Sequence, residues 1–355
     1  MVLGSRNRIQ ARPSTRAGAR TLVPQLIIAV MVMAISLVAS PGPAFADGAP
    51  ATLPALPTQI TSPVFKVSPD GDIQAAVDAA HDAGGGTVNL ASGRFDITAP
   101  IVPRSNVTIQ GQGATGSGLT TIYNALGTNM VIMVDGRAGG LNNIIFRNFK
   151  VDCGLSRTQR SHASDPGKNY GIYITDTSLS NGLVLFDNLQ ITQCLTGLHS
   201  KGTSDLTIRN SNFHDNGGVL YYSHDAYLRR VSKANVQNST LSDDSTGNGL
   251  NISYSDNITV RGCTITGNYF RGVRAANSSY IDVLGNTVSG NGDTGIIMNS
   301  ETAGDDQFRI ISNTVTSNLV GISTSSNSSN GSVWFNTVSG NGTNLSIDSS
   351  STSIK

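Results

Sequence analysis

The sequence predicts an all-β fold, a single-stranded parallel β-helix with three short strands per coil and a short N-terminal capping helix. Three observations predict it. One pattern recurs from about Leu183 to the end, most plainly at Gly285–Gly292 (GNTVSGNG), Ser312–Asn318 (SNTVTSN) and Phe335–Gly342 (FNTVSGNG). A period in the twenties marks stacked repeats. Small polar residues flank each central apolar anchor, a period of two and therefore strand. No helical pattern separates the strands, which excludes a doubly wound sheet and fits a solenoid.

The elements follow in chain order. Residues 1–46 read as a secretion signal: Arg6, Arg8, Arg12, Arg16 and Arg20, then the apolar run Leu22–Val38, then Ala44-Phe45-Ala46 as a small-x-small cleavage site. The apolar run approaches spanning length, so an uncleaved membrane anchor is the alternative. Residues 47–63, rich in Pro, Ala and Thr, read as a linker. Residues 64–106 form a cap. Ile73, Ala76, Val77 and Ala80 share one helical face over Asp70–Ala83, with Asp70 or Asp72 as N-cap. Gly84-Gly85-Gly86 stops that helix, and Thr87–Leu90 is a strand. Residues 107–348 are the β-helix, and residues 349–355 are expected to fray.

Within the β-helix the anchors are Val151, Ile191, Phe213, Leu241, Ile265, Val288, Val315 and Val338. From Ile191 the steps are 22, 28, 24, 23, 27 and 23 residues. A second strand follows a glycine, as in Gly171-Ile172-Tyr173, Gly197-Leu198-His199, Gly249-Leu250-Asn251 and Gly272-Val273-Arg274. Asparagines recur two before the anchors (Asn286, Asn313, Asn336) and three after (Asn216, Asn268, Asn291, Asn318, Asn341). An amide carries donors and acceptors, so asparagines stacked at a bend form ladders.

The cap carries a family resemblance. Ile73–Ala80 (IQAAVDAA), Gly84–Val88 (GGGTV), Ala91–Phe95 (ASGRF) and Asn106–Gly111 (NVTIQG) resemble the N-terminal cap of the pectate-lyase-like superfamily. The resemblance covers about Phe65 to the C-terminus. It implies a secreted right-handed parallel β-helix, in a superfamily of lyases, hydrolases, C5-epimerases and fructotransferases, many acting on uronic-acid polysaccharides.

Composition limits the partners. Removing residues 1–46 takes five arginines and no acid, so the formal charge of +1 becomes −4. Nucleic acid is not implied by such a chain. The expected partner is an acidic polysaccharide, the location extracellular and the state monomeric. Cys153, Cys194 and Cys263 show neither metal-ligand spacing nor a disulfide framework and read as packed or free thiols.

The candidate site lies in the middle coils, because charge nearly vanishes after Gln307, where only Arg309, Asp348 and Lys355 remain. The strip one residue beyond each Gly-apolar pair runs Tyr173, His199, an aromatic from Tyr221-Tyr222, Asn251 and Arg274. An aromatic floor with cations suits an anionic sugar chain. The expected catalytic residues are Lys201, His199, Arg274, Tyr221, Tyr222, His224 and Asp225. Arg274 or a cation would neutralise a substrate carboxylate, Lys201, His199 or His224 would take a proton, and Tyr221 or Tyr222 would return one. Tyr173, Asn251, Arg271 and His214 are expected to bind substrate. Asp215, Asp243 and Asp244 are expected to converge, either as a Ca²⁺ site, as an acid–base pair for hydrolysis, or as turn residues only.

Two narrower resemblances add detail. Leu206–Ser211 followed by His214–Gly217 resembles the coil after the active site of mannuronan C5-epimerases, but their Asp-Pro-His-Glu would fall on His199-Ser200-Lys201-Gly202, which differs. Asp243-Asp244 and Gly272-Val273-Arg274 resemble parts of the polygalacturonase pattern, whose Gly-His-Gly is missing here. The functional expectation is a lyase acting by β-elimination. A hydrolase with paired Asp, and a glycan-binding surface protein, are the alternatives.

Overall fold

The computed structural model describes residues 62–355, apart from 126, 138, 164, 166, 167, 176–182, 220, 300 and 351. The expected signal, residues 1–46, and residues 47–61 of the expected linker lie outside the described residues. No helix among the described residues is long and apolar enough to cross a membrane.

Strand Val64–Val67 pairs in parallel with Gly86–Leu90, and that strand pairs with Val107–Gln110. Stacking therefore starts inside the region expected to be cap alone. Helix Ile73–Asp82 caps the open end. Asp72 is its N-cap, accepting from the Ala75 N–H at 3.0 Å, which satisfies one of the orphan donors of the first turn. Its buried face of Ile73, Val77 and Ala80 covers core that the first coil would otherwise expose to water.

The anchors stack. Val151, Ile191, Phe213, Leu241, Ile265, Val288, Val315 and Val338 are successive register partners. All but the last are fully buried, and Val338 packs half-buried on the same core. Each such side chain contributes about 1.5–3 kcal/mol by leaving water. Outside the anchors the chain turns through a column of left-handed residues: Gln193, Asp215, Asp243, Gly267, Gly290, Ser317 and Gly340. Asn268, Asn291, Asn318 and Asn341 form one ladder, each Nδ2 donating to the next Oδ1 at 2.9–3.0 Å. Asn286, Asn313 and Asn336 form a second, at 2.9 Å.

The strands that follow the glycines make a separate parallel sheet of nine, running from Met130–Asp135 through Tyr170–Thr175, Thr196–Lys201, Ala226–Arg229, Leu250–Ser253, Val273–Ala276, Thr294–Asn299 and Val320–Thr324 to Thr343–Ile347. Gly197 marks how tightly they stack: a Cβ there would lie 2.5 Å from the Asp225 carbonyl oxygen.

One expectation is corrected. Cys153 and Cys194 form a disulfide, with Cα atoms 4.9 Å apart, while Cys263 is free and buried. The two cysteines differ by one residue in repeat phase, but Asp152 pairs with Thr192 and Gln193 turns at φ 57, which brings Cys194 to Cys153. In the tail expected to fray, Ser353 and Ile354 pair with Ser332 and Val333, and the Lys355 ammonium lies 4.4 Å from the Trp334 ring centre.

Candidate functional site

Register places Tyr173, His199, Tyr227, Asn251, Arg274 and Ile297 in one line across the nine-stranded sheet. Each sits one position after an inward apolar residue, so side-chain alternation turns it outward. Neighbours in the line are separated by about the strand spacing of 4.8 Å. The aromatic between His199 and Asn251 is Tyr227, not Tyr221 or Tyr222. In this coil the glycine position holds Asp225, and the missing Gly-apolar pair hid the strand. The signal available in the sequence was the period itself, since Tyr227 stands 28 residues after His199, the same step as from Phe213 to Leu241.

The line begins as an aromatic cluster. Tyr170 and Tyr173 stack with ring centres 5.0 Å apart. His199 stacks on Tyr227 at 4.7 Å and 12°, and meets Tyr173 edge-on at 5.4 Å. Burial, then the charges of Arg229 and Lys201, push the His199 pKa down to about 4. The ring is therefore neutral near pH 7. Lys201 and Arg229 are register partners two residues further along their strands, on the same face. Arg274 is buried in the line, its Nη1 donating to Asn251 Oδ1 at 3.1 Å and its Nη2 to Glu301 Oε1.

Other expected residues lie elsewhere. Tyr221 and Tyr222 are exposed in the preceding loop, where Tyr221 meets Phe270 edge-on at 5.1 Å. Arg271 covers the Phe270 ring at 3.9 Å and pairs with Asp293 at 3.0 Å, so it lines the turn that leads into the Arg274 strand. His224 is buried, its Nδ1 accepting from the Asn248 N–H at 3.1 Å, and burial pushes its pKa down to about 3. Asp225 has no exposed surface; it accepts from Asn216 Nδ2 at 2.8 Å. Burial, then the neighbouring Asp244, raise its pKa well above the usual range. His224 and Asp225, both expected to be catalytic, thus lie beneath the surface of the line. His214 pairs in register with Thr192 and Ser242, in a different sheet from the line, and binds Asp215 through Nδ1 at 2.8 Å.

Of the three aspartates expected to converge, Asp215 and Asp243 share one column and Asp244 lies in another. Asp215 and Asp243 are exposed and fill the left-handed column that glycine fills in later coils. Asp is tolerated there because its short side chain bonds locally. Asp244 instead points inward in the asparagine column, where its Oδ1 accepts from the Thr246 N–H at 2.9 Å and the Gly247 N–H at 2.5 Å. Among the described residues no three of His, Cys, Asp or Glu gather to hold a cation. Asp215 and Asp243 follow one another on adjacent coils, and turn chemistry accounts for their left-handed placement.

Residues 196–355 match the family described as right handed beta helix region. Over 162 residues the chain is 29% identical to alginate lyase 7 of Azotobacter vinelandii, a match covering 41% of this chain and 18% of that protein. The chain thus spans less than a fifth of the curated relative it matches. Among solved structures, tailspike protein 2 from Escherichia coli O157:H7 bacteriophage CAB120 is similar at a TM-score of 0.55 and 14% identity, over 82% of this chain and 42% of that chain. A mutant of the periplasmic alginate epimerase AlgG is similar at a TM-score of 0.52 and 14% identity, over 76% of this chain and 81% of that chain. These structures share the fold of this chain.

Proposed function

We propose that this β-helix acts on an acidic polysaccharide laid along the Tyr173–Arg274 line and cleaves it by β-elimination. The observation that carries the reading is the neutral His199 ring stacked on Tyr227, with Lys201 and Arg229 alongside. Aromatic faces hold sugar rings, and cations hold the carboxylates between them. The positive charge acidifies the proton α to a bound carboxylate. His199 removes that proton, the electron pair forms the C4–C5 double bond, and the C4–O bond to the next sugar breaks. The Tyr227 hydroxyl then protonates the leaving oxygen. A bound carboxylate also raises the His199 pKa, which strengthens it as a base. The distant relation to an alginate lyase supports this chemistry. Export to an oxidising compartment belongs to the proposal, supported by the Cys153–Cys194 disulfide and by the basic-then-apolar N-terminal segment. A monomer is the proposed working state.

The test is a product assay on alginate, pectate and glucuronan, with and without EDTA. The expected product is an unsaturated uronate that absorbs in the ultraviolet. Tyr227→Phe should lower its rate of formation by about 10²-fold or more, as loss of a general acid does, while the polymer still binds. New reducing ends without absorbance would mean hydrolysis. Binding without any product would leave a glycan-binding protein.

A further inference from the structure

Arg274 already has a carboxylate. Its guanidinium is held by Asn251 on one side and by Glu301 on the other, yet the Glu301 side chain remains 49% exposed while that of Arg274 is 9% exposed. Glu301 is the only glutamate among 355 residues; the other 22 acids are aspartates. It stands in an insertion. Asn299 pairs with Ala276 and Asp306 with Ser279, so six residues span in this coil what two span in the coil before. The insertion is anchored independently of Arg274: the Asn277 Oδ1 accepts from the Thr302 N–H at 3.1 Å, the Ala303 N–H at 3.0 Å and the Thr302 hydroxyl at 3.2 Å. Glu301 can therefore release Arg274 while its loop stays in place.

We propose that Glu301 is a built-in competitor for the carboxylate of an acidic sugar unit at Arg274, and so sets the threshold and selectivity of that subsite. The inference rests on the acidic-polysaccharide reading of the line. Glu301 faces water and can return to it, whereas the buried Arg274 guanidinium keeps its charge paired only if an incoming carboxylate takes the vacated place. A polymer brings ring stacking on Tyr173 and Tyr227 in addition to its charge, whereas a free anion brings charge alone. The apparent affinity is the intrinsic affinity reduced by the fraction of molecules in which Arg274 is open. A neutral sugar has nothing to offer the guanidinium in exchange and leaves Glu301 in place.

The experiment is calorimetric titration of the full chain with trigalacturonate, trimannuronate and neutral cellotriose. Glu301→Gln should bind at least one of the tri-uronates about tenfold more tightly than the wild type, as expected if Glu301 occupies Arg274 in about nine molecules of ten. Cellotriose affinity should not change, and adding Arg274→Gln should remove the gain. Glu301→Ala should act in the same direction, which guards against a fold defect peculiar to one variant, and thermal melts of both should match the wild type. Wild-type binding with no gain in either variant, or an equal gain for cellotriose, would overturn the role of Glu301 alone. No tri-uronate binding by the wild type or either variant would overturn this inference and the acidic-polysaccharide reading together.

Discussion

Asp225, Asp244 and Asp305 each occupy a column that the repeat otherwise fills with a neutral residue. Asp225 stands among Gly197 and Gly249, Asp244 among Asn216 and Asn268, and Asp305 between Ser278 and Ser328. All three are buried, and burial is the leading cause of their raised pKa values, about 7 for Asp244 and for Asp305. Asp305 gives the cleanest test. Its folded pKa lies above the ordinary 3.8, so between about pH 4 and pH 7 the folded state holds a proton that the unfolded state has lost. Stability is fully present below that window and falls as pH rises through it, by up to about 1.4 kcal/mol per pH unit. Asp305→Ser restores the serine of its column and keeps an acceptor for the Ser278 N–H. Urea denaturation between about pH 4.5 and about pH 6.5, inside that window, should show a shallower pH slope in this variant than in the wild type. Equal slopes would mean that Asp305 titrates normally. The sequence showed Asp243-Asp244 as a pair but not which way each faced. One left-handed residue, Asp243, turns the chain so that its neighbour points inward, and adjacent identical residues end up on opposite sides of the wall.

The strands and ladders were the most legible parts of the sequence, because stacking forces identical environments at a fixed period. Each anchor meets another anchor above and below, and each ladder asparagine meets another asparagine. Asn291 shows what such a position supplies. Its Oδ1 accepts from the Asn268 N–H and Nδ2, and its Nδ2 donates to the Ile265 carbonyl and to Asn318 Oδ1. Asn291→Ala leaves these buried groups without partners, and we expect a loss of about 2–4 kcal/mol after neighbours relax. Asn341→Ala, in the half-exposed last coil, should cost less. Equal losses at both sites would contradict a buried ladder. Legibility ended where the pattern was broken. The strand Ala226–Arg229 lacks its glycine, so Tyr227 was missed and the exposed Tyr221 and Tyr222 were taken in its place. The disulfide was missed for a related reason: pairing depends on which residue follows the bend, and repeat phase alone does not give it.

Along the whole molecule the chemistry is uneven. The line through the middle coils carries rings and cations, whereas in the later coils its positions are Ile297 and Ser323. The Cys153–Cys194 bond ties the longest inserted loop to the coil that carries His199; by chain-entropy reasoning it is worth about 4 kcal/mol for a loop of this length. Another face presents rows of Thr and Ser, such as Thr264, Thr287 and Thr314 in register. These contrasts make the central claim, that an acidic polysaccharide lies along the Tyr173–Arg274 line, open to one direct measurement. Hydroxyl-radical footprinting reads the accessibility of individual side chains by mass spectrometry, with and without a bound hexa-uronate. Tyr170, Tyr173, His199 and Tyr227 should oxidise more slowly on binding, with Tyr280, Trp334 and Phe335 unchanged. Protection of Tyr280, Trp334 and Phe335 instead, or unchanged rates along the line while the hexa-uronate is bound, would contradict that claim.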